Sequence, residues 1–425
     1  TLEEWIEITR EEDVIDPEDA DDPAWAPAKG CALWGRKKES DFKSLTDSPK
    51  GMKKMFETDW AACMYRFTFV DFLAKDLVLA RREMIVKEVT SVLRKHYPQL
   101  VAIYSYYSSL HPPELFKLTL QDFRVFLQHF KLVNPEVEGV REQDLEALFA
   151  RVNPELAEHE GVASPTCSLF RNEFVELVVR LAQTKYMYGR RPITKVWGEA
   201  LDMLFTEHLA CPAFLCIEIT LNRDEFRVNR LYRKPVDTYL RKHAFTFKAL
   251  FSYFKSAGKE SAPTYLDFSG WLSLLSRGGL TNDFFTEREA LNCFIWSRTH
   301  KVDDTKKRPK ATGMTYVDFL EGLGRVAELV SPPAVPDLRR QKYESDTPTY
   351  EYYQKVYHTD SGAPPLPDRL SSMFDHAKTR PLQHKMQQVM EVLLMTLTAR
   401  MECESPKAML ARLTELAAAI PAAKK

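Results

Sequence analysis

Four acidic residues stand directly before phenylalanines, in segments with helical periodicity. The pairs are Asp122 with Phe123, Glu173 with Phe174, Asp267 with Phe268, and Asp318 with Phe319. An acid at such a place can close a 12-residue calcium loop, because the residue at position 12 gives both carboxylate oxygens to the ion. Position 8, which pairs neighbouring loops, would then be Leu118, Leu169, Pro263 or Met314. The pattern predicts helix–loop–helix pairs with the four phenylalanines in the core.

The other calcium ligands are missing from these loops. Calcium takes six or more oxygens, supplied mainly from loop positions 1, 3, 5, 7 and 12. The first loop has His111, Pro113 and Leu115 at positions 1, 3 and 5, and no loop has Asp at positions 1 and 3. We therefore expect EF-hand-like helix pairs that bind no metal and need no cofactor.

The remaining motifs offer no catalytic chemistry. Gly258-Lys259 lacks the upstream Gly of a phosphate loop, and Glu260 stands where Ser or Thr should follow. The His residues form no HExxH motif, the Cys residues form no CxxC pair, and no GxSxG nucleophile motif occurs. The sequence therefore predicts that the chain is not an enzyme and has no catalytic residues.

An internal repeat places these motifs on helices. Residues 93–96 (LRKH) recur at 240–243, and the similarity continues for about 90 residues, so that Arg180 matches Arg325. Each copy contains four segments of helical period. Pro98 predicts that the first helix of the first copy begins late. The repeat predicts an all-α fold with two duplicated four-helix modules, each an EF-hand-like pair.

The pattern divides the chain into six regions. They are an extended acidic N-terminal arm with a short helix (1–75), module 1 (76–186), a helical connector (187–235), module 2 (236–330), a Pro/Tyr-rich linker (331–370) and C-terminal helices (371–425). In the arm, residues 11–22 carry eight carboxylates and no base. The C-terminal region includes a Met-rich helix that could fill an EF-like groove or pack as ordinary core, and docking onto the chain's own lobes would satisfy both.

Composition sets the class of protein. The formal net charge is −1, which gives no global attraction to nucleic acid or to an anionic membrane. No apolar run reaches the length of about 18 residues that a membrane span requires. Seven scattered Cys residues indicate reduced thiols and a cytoplasmic protein.

Five segments carry a resemblance to a known family; they are 226–236, 240–243, 285–290, 296–298 and 316–320. Here the chain resembles the divergent calmodulin-like proteins of ciliary and flagellar axonemes. The resemblance covers residues 190–330 well and 85–185 more faintly. It implies a non-enzymatic structural or adaptor protein, bound to protein partners within a stable complex on microtubules. The missing ligands set the chain apart from calcium-sensing EF-hands.

Two surfaces are candidates for partner binding. The first is a basic loop that would meet an acidic partner such as a tubulin tail; it contains Lys306, Lys307, Arg308 and Lys310. The second is the linker, whose tyrosines suit a protein interface; they are Tyr343, Tyr350, Tyr352, Tyr353 and Tyr357. Two alternatives stay open, a calcium-responsive EF-hand regulator and the regulatory part of a longer enzyme.

Overall fold

The computed structural model is helical over most of the residues that it describes, which confirms the predicted all-α fold. The described residues are 33, 49–74, 78–110, 115–135, 139–153, 168–188, 192–210, 226–259, 263–299, 301–303, 305, 308–358 and 380–421. The chain forms two compact units. The first unit contains residues 40–221 and 300–312, and the second contains 1–39, 222–299 and 313–425.

The first unit surrounds one long helix with shorter ones. Its elements are α1 (Pro49–Tyr65), α2 (Phe67–Ala74), α3 (Leu79–Tyr107), β1 (Leu118–Thr119), α4 (Leu120–His129), α5 (Glu142–Val152), β2 (Ser168–Leu169), α6 (Arg171–Tyr186) and α7 (Trp197–Met203), which continues as a π-helix over Leu204–Leu209. A short helix at Arg308–Thr312 completes this unit. Its core draws side chains from α1 through the π-helix.

Pro98 lies inside α3 without ending it, so the predicted late start of this helix is wrong. A proline in a helix interior costs about 3 kcal/mol, because a backbone hydrogen bond is lost and the ring crowds the preceding turn. The neighbouring Leu93, Tyr97, Leu100 and Val101 are all fully buried. Burial of this apolar face compensates for the break in the helix ladder.

The second unit repeats the helix order and then adds four helices. A π-helix at Arg227–Leu231 precedes α8 (Lys234–Lys242), α9 (Ala244–Ser256), α10 (Phe268–Arg277), α11 (Glu287–Ser297), α12 (Tyr316–Val330), α13 (Val335–Arg340), α14 (Pro348–Tyr357), α15 (Leu382–Arg400) and α16 (Pro406–Ala418). Thr286 and Glu289 form the predicted capping box of α11, and Ser405 caps α16. That the two helix sets arose by duplication stays a prediction.

The regions predicted outside the modules belong to the two units. Residues 49–74 of the predicted arm form α1 and α2 of the first unit. The predicted connector is divided between the units near residue 221. Residues 335–357 of the predicted linker contain α13 and α14, because Pro336 and Pro348 occupy first-turn positions that favour a helix. Residues 359–370 lie outside the described residues.

Candidate functional site

Each pair of loops is joined by a short antiparallel contact. In the first unit Leu118 pairs with Leu169, the two residues predicted for loop position 8. In the second unit Met314 pairs with Leu266, with backbone N–H to O distances of 2.7 and 3.0 Å. The prediction that Pro263 takes this place is therefore wrong, because the third loop is shifted by three residues.

Three of the four loop-closing carboxylates occupy the third helical position and complete a capping box. Asp122 accepts the backbone N–H of Thr119 at 3.0 Å, and Asp318 accepts that of Thr315 at 2.8 Å. Glu173 accepts the backbone N–H of Phe170 at 2.8 Å. All three carboxylates are buried, so they satisfy N–H groups that a helix leaves without an intrahelical partner. The position that binds calcium in an EF-hand here stabilises a helix start.

The third loop places its acid differently. Asp267 is the N-cap of α10 and accepts the backbone N–H of Gly270 at 2.9 Å. As a result Trp271, rather than Phe268, occupies the position of Phe123 in the first unit. Phe123 and Trp271 are both 0% exposed, whereas Phe268 is only partly buried.

The predicted core position of Phe268 is therefore corrected by the shift of the third loop. Trp271 contacts Phe319 with ring centroids 6.1 Å apart, and Phe319 is 0% exposed. In the first unit Phe174 and Phe123 are buried as predicted.

The first unit contains a buried Arg–Glu–Arg triad on α6. One oxygen of Glu176 is 2.7 Å from Arg180 Nη2, and the other is 3.3 Å from Arg66 Nη1. The Arg180 guanidinium lies over the ring of Phe72, 4.3 Å from its centroid. All three charged side chains are at most 10% exposed, so each charge depends on the others for compensation.

The second unit contains the same triad on α12. One oxygen of Glu321 is 2.9 Å from Arg325 Nη2, and the other is 3.0 Å from Arg227 Nε. The Arg325 guanidinium lies 4.5 Å from the ring centroid of Phe226. Burial lowers the pKa of Arg325, and the Glu321 carboxylate opposes that shift. The repeat matched Arg180 with Arg325 without predicting a buried charge site, and the glutamates four residues earlier, which keep the same spacing, were missed.

The first unit contains a second buried ion pair. Arg171 donates from two nitrogens to Asp59, at 2.6 and 2.9 Å, and the hydroxyl of Tyr97 donates to the same carboxylate. Arg171 also donates to the backbone carbonyl oxygens of Lys301 and Val302, at 3.1 and 2.8 Å. The guanidinium therefore fixes the start of the 300–312 segment within this unit.

The Met-rich helix α15 lies inside the second unit. Its predicted apolar face is buried throughout, with Leu382, Met386, Val389, Leu393 and Leu397 each at most 2% exposed. It packs against α8, α10 and α12 of the repeated helix set, and also against α14 and α16. A helix in this place resembles an amphipathic target helix lying in a groove, but here it belongs to the same chain. This docking on the chain's own module agrees with both alternatives, groove filling and ordinary core packing.

The predicted tyrosine surface is mostly core. Tyr352 and Tyr353 are 1% and 0% exposed, and Tyr343 is 7% exposed, because α14 packs against α15. The prediction that these three tyrosines meet a partner at the surface is therefore wrong. Tyr350 and Tyr357 are partly exposed.

A buried carboxylate holds the same α14 to α15. Glu391 accepts the backbone N–H groups of Thr349 and Tyr350, at 3.0 and 2.9 Å, in the first turn of α14. Burial raises the pKa of Glu391 to about 7, although the two N–H groups oppose this shift. Glu391 is thus a titratable group that caps the start of the buried helix α14.

The basic loop is described only in part. Lys306 and Lys307 lie outside the described residues, Arg308 begins the short helix at Arg308–Thr312, and Lys310 is exposed. An exposed Lys310 is compatible with a solvated loop and with a binding rim alike. Binding by this loop stays a prediction.

Three further findings bear on function. Within the part of the chain that the structure describes, no group of three or more His, Cys, Asp or Glu side chains is placed to hold a metal ion. None of the described helices combines the length and apolar character needed to cross a membrane. Comparison with protein-family models, with curated proteins and with solved structures gives no match.

Proposed function

We propose that the chain is a non-enzymatic structural protein whose EF-hand-like modules keep their shape without calcium and connect other proteins. The observation that carries this proposal is the capping role of Asp122, Glu173 and Asp318. A buried carboxylate whose oxygen already accepts a backbone N–H would have to weaken or give up this hydrogen bond to bind an ion as a bidentate ligand. The helix pairs are therefore built as permanent packing units.

The filled groove supports the same proposal. A calcium sensor opens an apolar groove and takes up a helix from a target protein. In the second unit α15 already lies against α8, α10 and α12, and it is buried nearly all round. Partners would then bind to outer faces of the units, where Tyr350, Tyr357 and Lys310 are accessible.

The ciliary or flagellar axoneme is the proposed location. This proposal rests on the resemblance to axonemal calmodulin-like proteins, which is carried by the five segments from 226–236 through 316–320. The test is expression of the tagged full chain in a ciliated cell, followed by detergent extraction of isolated cilia. We expect the chain in the detergent-resistant axonemal pellet, at the same level in calcium and in EGTA. Recovery in the detergent-soluble fraction would reject the axonemal role.

The comparison of calcium with EGTA in this experiment separates the proposal from the alternative of a calcium-responsive regulator. If calcium releases the chain from the pellet, or recruits it there, the chain acts as a calcium-responsive regulator instead. A second tagged chain with Glu321→Ala, which weakens the fold of the second unit, serves as a control. It should lose incorporation if the folded unit supplies the attachment.

A further inference from the structure

One face of α8 and α9 carries lysines around an exposed phenylalanine. Helix α8 ends at Lys242 and α9 begins at Ala244, and His243 caps both ends: His243 N donates to Tyr239 O and Phe247 N donates to His243 O. Within α9, Phe245, Lys248 and Lys255 are spaced by three and seven residues and therefore share one face, and Lys242 lies at the end of α8 directly before it. We call this face the basic stripe; its residues are Lys242, Phe245, Lys248 and Lys255.

The basic stripe is accessible. Phe245 is 64% exposed, and Lys242 and Lys248 on either side of it are exposed as well. A single exposed aromatic ring is common on protein surfaces. An aromatic ring with cations on both sides is more specific, because it matches a ligand that combines carboxylates with an apolar side chain.

The charge of the basic stripe is not balanced within its own segment. Residues 238–259 include five Lys or Arg and no Asp or Glu. Two acids that flank this segment are already paired, since Asp237 is 2.9 Å from Arg241 and Asp267 is 2.7 Å from Lys259; Glu260 lies outside the described residues. Among the ion pairs of the described residues, none includes a lysine of the basic stripe.

The pKa of Lys255 agrees with this imbalance. Partial burial lowers it, and the positive charge of Lys259 lowers it further. The basic stripe thus presents a positive surface that an acidic segment would neutralise.

The chain itself contains a segment of matching chemistry. Residues 11–22 carry eight carboxylates and no base, with Val14 and Ile15 between the acids. We propose that this acidic segment binds to the basic stripe, with its carboxylates on the lysines and its apolar pair against Phe245.

The length of the chain permits this contact. Leu33 is 1% exposed and belongs to the second unit, as the basic stripe does. Ten residues lie between positions 22 and 33, and the eleven steps from 22 to 33 can span up to about 36 Å when extended. A compact unit of this size has a radius of gyration of about 17 Å, so the acidic segment can reach most of its surface.

Tethering makes even a weak contact persistent. A connection as short as residues 23–32 gives an effective concentration in the millimolar range. A segment whose free peptide binds with a dissociation constant of about 0.1 mM would therefore occupy the basic stripe most of the time. The contact would weaken with salt, because it consists of exposed charges.

The test uses the full chain and a fluorescent peptide with the sequence of residues 9–24. In one variant all eight acids of the acidic segment are changed to Asn or Gln, which empties the basic stripe without shortening the chain. At low salt this variant should bind the peptide, and the unchanged chain should bind it about tenfold more weakly. Adding Lys242→Glu and Lys248→Glu to the variant should abolish binding.

The matched control changes two exposed lysines elsewhere, Lys53→Glu and Lys87→Glu, in the same variant, and it should leave peptide binding unchanged. Zero-length carbodiimide cross-linking of the unchanged chain gives a second measurement. We expect cross-links from residues 11–22 to Lys242, Lys248 or Lys255.

Two results would overturn the proposal. Equal peptide binding by the unchanged chain and the Asn/Gln variant would show that the basic stripe is open and serves another acidic partner. Cross-links from the acidic segment only to lysines outside the basic stripe would place the segment elsewhere.

Discussion

The two units contain a similar buried group of one glutamate and two arginines, but different parts of the chain cover their helix pairs. Glu176 and Glu321 each bind two arginines, and in both units the arginine four residues later lies over a phenylalanine ring. The outer arginine, however, comes from different elements. Arg66 stands between α1 and α2, and Arg227 begins a π-helix.

The covering helices differ in the same way. In the first unit α1 packs against α6, and α7 packs against α3 and α6. In the second unit α8 and α12 are covered by α15, which follows them in the chain. The two units share the loop contact and the Glu–Arg pair on one helix, whereas the outer arginine and the helices that cover the remaining apolar face come from different segments.

The largest expected effect tests whether the two triads are equivalent. Glu321→Ala leaves Arg227 and Arg325 buried without their carboxylate, which should destabilise the second unit by about 3–5 kcal/mol. Glu176→Ala should destabilise the first unit by a similar amount. Calorimetry or denaturant unfolding of the full chain measures both, with the exposed Glu415→Ala as the control. A cost below about 1 kcal/mol for one of the two would show that the triads are not equivalent.

The next prediction concerns pH and should distinguish the units. The pKa of Glu391 is about 7 in the folded chain, against a model-compound value of 4.5. The folded state thus binds this proton more tightly than the unfolded state does. The contribution of Glu391 to the free energy of unfolding is therefore complete below pH 4.5 and is lost as pH rises through 7. The change in stability of the second unit should be at most about 3 kcal/mol.

Glu391→Gln keeps an acceptor for the N–H groups of α14 and should remove this dependence. In the first unit burial lowers the pKa of His208, so its contribution is lost as pH falls below the ordinary value of 6.5. Unfolding midpoints measured at several pH values between 5 and 8 should therefore move in opposite directions for the two units. Parallel movement would contradict the assignment.

A smaller effect tests whether the side-chain sizes at two matching core positions compensate each other in the two units. Trp271 in the second unit lies 3.0 Å from the place where a Cβ on Gly322 would be. The first unit has Phe123 and Leu177 at the corresponding positions. Gly322→Leu alone should cost about 1–3 kcal/mol or more by overpacking, and adding Trp271→Phe should recover part of that loss. If the two changes are simply additive, the core positions do not correspond.

The helix pairs could be predicted because their signals are local. Leu118, Leu169 and Met314 pair as expected, and Thr286 begins a helix as its capping box indicates. The third loop was misplaced because its acid and phenylalanine imitate the other three. The Leu266–Met314 pairing, the hydrogen bond from Gly270 N and the burial of Trp271 show that Asp267 is an N-cap rather than the closing acid.

The covering segments were harder to predict because their burial depends on distant partners. Tyr352 and Tyr353 lie in a segment rich in Pro and Tyr, which is typical of a surface linker. Their burial follows from α15, whose residues begin about thirty positions later in the chain. The triads were missed for a related reason, since a charged residue on a helix is usually solvated and only packing shows that Glu176 and Glu321 are fully buried.

The smallest expected effect concerns calcium, which should change neither unit. An ion that binds only the folded chain at a hundred times its dissociation constant would add about 2.7 kcal/mol to stability. We expect a change of about zero in both unfolding transitions at millimolar calcium, compared with equal concentrations of magnesium. The reason is that Asp122, Glu173 and Asp318 already cap their helices, and the positions before them offer too few oxygens for the ion. A saturable rise of one transition in calcium alone would assign a working loop to that unit, and the two units would then differ in chemistry as well as in their covering helices.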